Sequence, residues 1–134
     1  ADLFHVVDDP SGTPINKKIS AENVFNNIPS FLGLAQASQA ITADASSQVA
    51  NVTTAVTEIN ATSATGAISL ADGAEGQIKT FINVSTSGTN NVVITPTNLR
   101  GGTTITLNAE GETVTCLFKN AKWNVIAGNG YAIA

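Results

Sequence analysis

A protein that makes or breaks bonds needs convergent polar side chains, and this 134-residue chain offers few of them. Its single histidine, His5, stands in LFHVV, and its single cysteine, Cys116, stands in TVTCLFKN. Any nucleophile–base pair of the Ser-His-Asp or Cys-His kind would have to use His5. That residue sits between Phe4 and Val6, far in sequence from Cys116, and reads as a packed or interface histidine. One His and one Cys are too few to hold zinc. Asp2, Asp8 and Asp9 invite a calcium reading, but Asp-Asp-Pro ahead of Ser-Gly is ordinary turn chemistry. Gly101–Gly102 and Gly128/Gly130 precede no helical pattern, so they read as turn glycines and not as a phosphate cradle. Trp123 and Tyr131 have rings that can stack on sugars. Trp123 alternates with core-like residues and is expected inside, which leaves Tyr131, in GNGY, as the candidate glycan contact. Cys116 shares the phase of Val114 and Phe118, so a buried thiol acting as a small hydrophobe is expected. These residues support no enzyme, no cofactor and no metal.

Composition narrows the classes further. Hydrophobic residues make up 43% of the chain and aromatics 5%, so the core must be aliphatic. Charged residues are 12%, about half the usual share, and polarity comes from Ser, Thr, Asn and Gln. The net charge is −4 and the six basic residues are scattered, so the footprint of a nucleic-acid binder is lacking. No apolar run is long enough to span a membrane as a helix, and ADLFHVVDDPSG has no signal-peptide pattern. The lack of Met and the small residue at position 1 are compatible with removal of an initiator Met, and the expectation is a complete small protein.

The elements that must position these residues follow three rhythms. Residues 1–34 hold Pro10, Pro14 and Pro29. LFHVV suggests a strand, DDPSGTP a turn, and Ser20 an N-cap for a two-turn helix carrying Val24, Phe25 and Ile28 and ending before Pro29. With FLGL following, this segment is too broken to bury its own apolar residues and reads as an arm docked on another surface. Residues 35–65 contain no Pro and are rich in Ala, Gln and Ser up to about residue 62. Val49, Val52, Val56 and Ile59 recur at three, four and three, a stripe as narrow as a coiled-coil seam. Extended backwards, it takes in Ala45, Thr42, Ser38 and Ala35, with Ile41 one place off phase. VANVTTAV also suits a strand, but strict alternation is missing, so a helix is expected. β-branched residues at both seam positions favour three strands over two. The other reading is a single helix packed on its own β-domain.

From residue 66 the period becomes two. Strands are expected at 67–70, 76–85, 91–95, 103–107, 112–120, 122–128 and 131–134, separated by ADGAEG, STSGTNN, NLRGG, NAEG, KNAK and GNG. Ile78, Thr80, Ile82 and Val84 share one face, and Val114, Cys116 and Phe118 another, with Ile, Val, Leu, Phe and the Trp expected inward. The fold class expected is mainly β with a helical segment and trimeric. It comprises an extended arm, a central coiled-coil-like helix, and an antiparallel sandwich, barrel or prism.

Gly66–Leu70 with the following DG and GQ, Thr95–Thr106 (TPTNLRGGTTIT) and Gly111–Gly130 (GETVTCLFKNAKWNVIAGNG) carry a resemblance. Together they are similar to the C-terminal β-module of small structural proteins of tailed phages, especially cyanophages and other marine phages. The chain departs from that pattern at Cys116, where Leu is usual, and at Ala121, where Gly is usual. DLFHVVDDPSGTPINKKIS is also similar to a segment of phage appendage proteins. The resemblance implies a homotrimeric virion appendage, expected to be a capsid decoration protein of the cement or head-fibre kind. Its partners would be copies of itself and a major capsid or other virion protein. Docking on the capsid would use Phe4, Val6, Val7, Phe25, Phe31 and Leu34. The rival readings are a tail-fibre or collar piece with a glycan-binding tip, and a monomeric carbohydrate-binding module.

Overall fold

The computed structural model describes residues 3–8, 15–20 and 36–134. The chain divides into two compact units, Ala1–Ala35 and Gln36–Ala134. In the first, β1 (Leu3–Asp8) and β2 (Ile15–Ser20) pair antiparallel, with Leu3 opposite Ser20 and Asp8 opposite Ile15. The LFHVV strand is met here, and INKKIS is a second strand that the turn residues between them had not announced. Phe4, Val6 and Val7 lie on β1. The expected helix after Ser20, carrying Val24, Phe25 and Ile28, and the Phe31 and Leu34 that follow it lie outside the described residues.

The second unit contains β3 (Ser38–Ala43), β4 (Gln48–Ala50), β5 (Val56–Ala61), β6 (Thr65–Leu70), β7 (Ile78–Asn83) and β8 (Asn91–Pro96). It continues with β9 (Ile105–Leu107), β10 (Thr113–Lys119), β11 (Lys122–Asn129) and β12 (Ala132–Ile133). One sheet has the order β11-β10-β7-β5-β3 and the other β12-β9-β8-β6-β4. From β3 to β8 the chain crosses to the opposite sheet after every strand. Each new strand therefore arrives in the same direction as its neighbour, and β3–β5, β5–β7, β4–β6 and β6–β8 are all parallel. β9 to β12 then close both sheets with antiparallel pairs.

The core between the sheets is aliphatic with three aromatic rings. It contains Ile59, Ile68, Leu70, Val92, Ile94, Ile105, Leu107, Val114 and Cys116, together with Phe81, Phe118 and Trp123. The sheets approach closely where β6 faces β3 and β5. A Cβ on Gly66 would lie 2.9 Å from that of Ala61 and 3.0 Å from that of Ala43.

The central helix is not found: the described residues hold no helix, and 38–61 is three strands of the two sheets. β-branched residues fill this stretch, and the polar residues between them form corners instead of a solvated helix face. Asp44 Oδ1 accepts from Ser46 N at 2.8 Å, and Asn51 Oδ1 accepts from the N–H groups of Thr53 and Thr54 at 3.1 and 2.9 Å. Two Asx turns thus bend a segment that lacks Pro and Gly. A second correction concerns the sheets, which are mixed and not purely antiparallel. The expected strands from residue 67 onward are all present. In β7, however, the inward phase is Lys79, Phe81 and Asn83, while Ile78, Thr80 and Ile82 face outward.

Candidate functional site

The three motif segments, distant in sequence, meet around Trp123. The indole is fully buried, its ring N–H donates to Ala71 O at 3.0 Å, and Phe118 stands edge-on to it at 5.1 Å. Gly73 lies against the ring, where a Cβ would come within 2.9 Å of it. Backbone bonds tie the strand to the NLRGG turn: Trp123 N donates to Asn98 O and Arg100 N to Trp123 O, both at 2.9 Å. Side chains complete the joint. Asn98 Nδ2 donates to Asp72 Oδ2 at 2.7 Å, and Arg100 Nε donates to Asn124 Oδ1 at 2.7 Å. Glu75 accepts from Ala121 N at 3.0 Å and pairs with Lys119 at 3.0 Å. The Ala121 N–H, then Lys119, hold the Glu75 carboxyl below its usual range. Asp72, Glu75, Asn98 and Arg100 are thereby committed to joining loops, and the arrangement is architectural.

A second polar cluster lies inside the winding half. Lys79 is fully buried, with no carboxylate of the described residues paired to it; its ammonium donates to Thr54 O at 2.7 Å and Thr54 Oγ1 at 3.0 Å and lies 5.6 Å from the Phe81 ring centre. Burial lowers its pKa to about 8. Cross-strand from it on β10 is Cys116, whose thiol burial pushes up to about 12, as suits an inert core thiol. Gln77 Nε2 donates to Val52 O, and Gln39 Oε1 accepts from Asn51 N at 2.9 Å, so the crossing between β4 and β5 is held by side chains. At the other end of β7, Asn83 Nδ2 donates to Leu107 O of the opposite sheet at 3.2 Å, while its Oδ1 accepts from Ser85 N at 2.9 Å. Sequence reading passed over Lys79 and Asn83 because both phases of GQIKTFINVS contain apolar residues. The one signal available was Phe81, the bulkiest residue of the strand.

The seam residues do not share a face. Ala45 is exposed in the turn after β3, Val49 is 64% exposed on β4, and Val52 packs on the core within the β4–β5 crossing. Val56 points outward from β5, and Ile59 is fully buried. Tyr131 is half-buried against the core, with Gly128 beside its ring. His5 lies on β1. Among the described residues no three His, Cys, Asp or Glu side chains gather as a metal site would require, and no helix is long and apolar enough to cross a membrane.

The outer faces of the two sheets differ. On the sheet containing β7, Ile78 pairs with Leu117, Thr80 with Thr115 and Val56, and Ile82 with Thr113 and Glu58. On the other sheet Val49, Ser69 and Thr95 align across β4, β6 and β8, beside Ala67, Val93 and Thr106. No protein-family model matches the chain, and no curated protein matches it.

Proposed function

We propose that this chain is a structural protein of a phage virion, a homotrimeric decoration protein of the capsid that docks through residues 1–34. The observation that carries the reading is the convergence on Trp123 of the three segments that resemble the phage β-module. Residues from all three segments are spent on one joint, which suits a stable module. The apolar residues of the arm, Phe4, Val6, Val7, Phe25, Phe31 and Leu34, would supply the contact with the particle, and three arms on one trimer would multiply a modest single-arm affinity. Immunogold labelling of virions in lysates of the source host, with antibody raised against the purified protein, tests the reading. Label on the head at regular positions supports it. Label confined to the tail or collar transfers the protein to the rival appendage, and absence of label from every particle refutes a virion role.

A further inference from the structure

We infer that Asn129 is a self-modifying site, whose side-chain amide cyclises onto the Gly130 nitrogen and opens to isoaspartate, and that the change loosens β12. Asn129 is the only asparagine of the chain that precedes a glycine. It is exposed between Gly128 and Gly130, which are exposed too. The amide nitrogens of Asn83, Asn90, Asn98 and Asn124 are each tied to a carbonyl or carboxylate oxygen. That of Asn129 has no such partner among the described residues. The ladder between β10 and β11 ends one residue earlier, where Val114 faces Gly128, and beyond it only the single bridge of Thr113 to Gly130 holds the backbone. Gly130 has φ of 77°, and its lack of a Cβ lets the Glu112 carboxylate lie against it: a Cβ there would stand 2.5 Å from Glu112 Oε1 and Cδ. The Asn108 N–H donates to Glu112 Oε2 and keeps the carboxylate in that place.

The reaction needs only these groups and water. Glu112 takes the proton of the Gly130 N–H as a general base. The nitrogen then attacks Asn129 Cγ, the Cγ–Nδ2 bond breaks, and the proton passes from Glu112 to the departing nitrogen, which leaves as ammonia. Water opens the resulting succinimide. Addition at Cγ gives aspartate; addition at the main-chain carbonyl carbon gives isoaspartate, whose backbone runs through Cβ and Cγ. Isoaspartate inserts an extra backbone carbon directly ahead of Tyr131 and β12. The segment that must absorb it is weakly held. β12 pairs two residues with β9, and Ala134 O accepts from Thr104 N at 3.0 Å.

Peptide mapping with electron-transfer fragmentation, which separates isoaspartate from aspartate, tests the site on the full chain incubated in mildly alkaline buffer, native and in urea. The expected result is loss of the Asn129 amide ahead of every other asparagine, with isoaspartate several-fold over aspartate. The native chain should react at least as fast as the unfolded one, because only the fold brings Glu112 to Gly130. Glu112→Gln, whose amide oxygen still accepts from the Asn108 N–H, should slow the native reaction several-fold and leave the rate in urea unchanged, with an unaltered melting curve as the check on folding. A native rate many-fold below the rate in urea overturns the inference, and an unslowed Glu112→Gln overturns the role of Glu112. Hydrogen exchange reads the consequence. The aged chain should lose protection at Thr103 N and Thr104 N, which donate to Ala134 O, while Asn129→Gln incubated alongside keeps it. Unchanged protection in chains that carry isoaspartate overturns the loosening of β12.

Discussion

The winding half of the second unit, residues 36–96, and its closing half, residues 97–134, are built by different rules. The closing half buries Leu99, Ile105, Leu107, Val114, Cys116, Phe118 and Trp123 and no polar side chain. Every buried polar residue, Thr57, Lys79, Asn83 and Ser85, belongs to the winding half. The difference follows from topology. An antiparallel hairpin satisfies its backbone with a sequence neighbour, whereas a chain that changes sheets after each strand interrupts its ladders at the crossings and leaves some backbone groups there for side chains to meet. Inward side chains reach such groups: Lys79 takes Thr54 O and Ser85 Oγ accepts from Ala61 N at 2.7 Å, while Asn83 reaches across to Leu107 O of the closing half. Polar burial here is the means by which parallel winding becomes tolerable in a dry core.

The comparison can be broken most forcefully at Trp123. Trp123→Ala should destabilise the fold by about 3–5 kcal/mol in denaturant unfolding, since it empties the joint of three segments. A loss under about 1 kcal/mol would mean that the closing half does not depend on that ring. Asn83→Leu should cost about 2–3 kcal/mol despite adding apolar volume, because Leu107 O and Ser85 N lose their partners. A neutral result would sink the claim that polar burial supports the winding.

The pair Lys79 and Cys116 sharpens the contrast, since the halves contribute opposite pH dependences. Lys79 has its folded pKa depressed from 10.5 to about 8, so between those values the unfolded chain binds more protons and stability rises with pH. Cys116 has its folded pKa raised from 9.0 to about 12, so above pH 9.0 the unfolded chain loses its proton first and stability falls. Each slope approaches about 1.4 kcal/mol per pH unit at most. Urea unfolding across pH 7 to 11 should rise from about pH 8 and stop rising once Cys116 takes effect. Lys79→Met should abolish the rise and Cys116→Val the later loss; slopes unchanged in both variants would refute the assignment.

The smallest effect is expected at the hairpin tip. Asn120 and Ala121 both have φ of 55°, the two left-handed residues of a type I′ turn. Ala121→Gly should stabilise by about 1 kcal/mol, raising the melting temperature by a few degrees. A lowered melting temperature would show that the Ala121 methyl contributes more than its backbone strain costs.

Much of the closing half was legible because strict alternation and turn residues mark hairpins whose partners are adjacent in sequence. Val114, Cys116, Phe118 and Trp123 fell inward as their phase required. The stripe through Val49, Val52, Val56 and Ile59 misled for a definite reason. Two short strands joined by an Asx corner place apolar residues at intervals of three and four without any helix. Asp44 and Asn51 carried the turn signal, but Asx turns without Gly or Pro are faint against a clear period. The Trp123 joint was visible only as motif text, since nothing local brings Asp72 to Asn98 or Glu75 to Ala121.

By itself the sequence determined the strand positions after residue 66, the hairpin turns, the aliphatic core and the poverty of catalytic side chains, because each of these depends on residue type and short-range spacing. Tertiary structure alone decided that residues 38–61 are strands, that half of the pairing in the two five-stranded sheets is parallel, and that Lys79 and Asn83 point inward while Ile78 and Ile82 point out. Alternation shows that a strand has two faces. Which face is buried depends on the volume and hydrogen-bond partners that distant strands present, and for β7 those were Phe81 in the core and the carbonyls of Thr54 and Leu107.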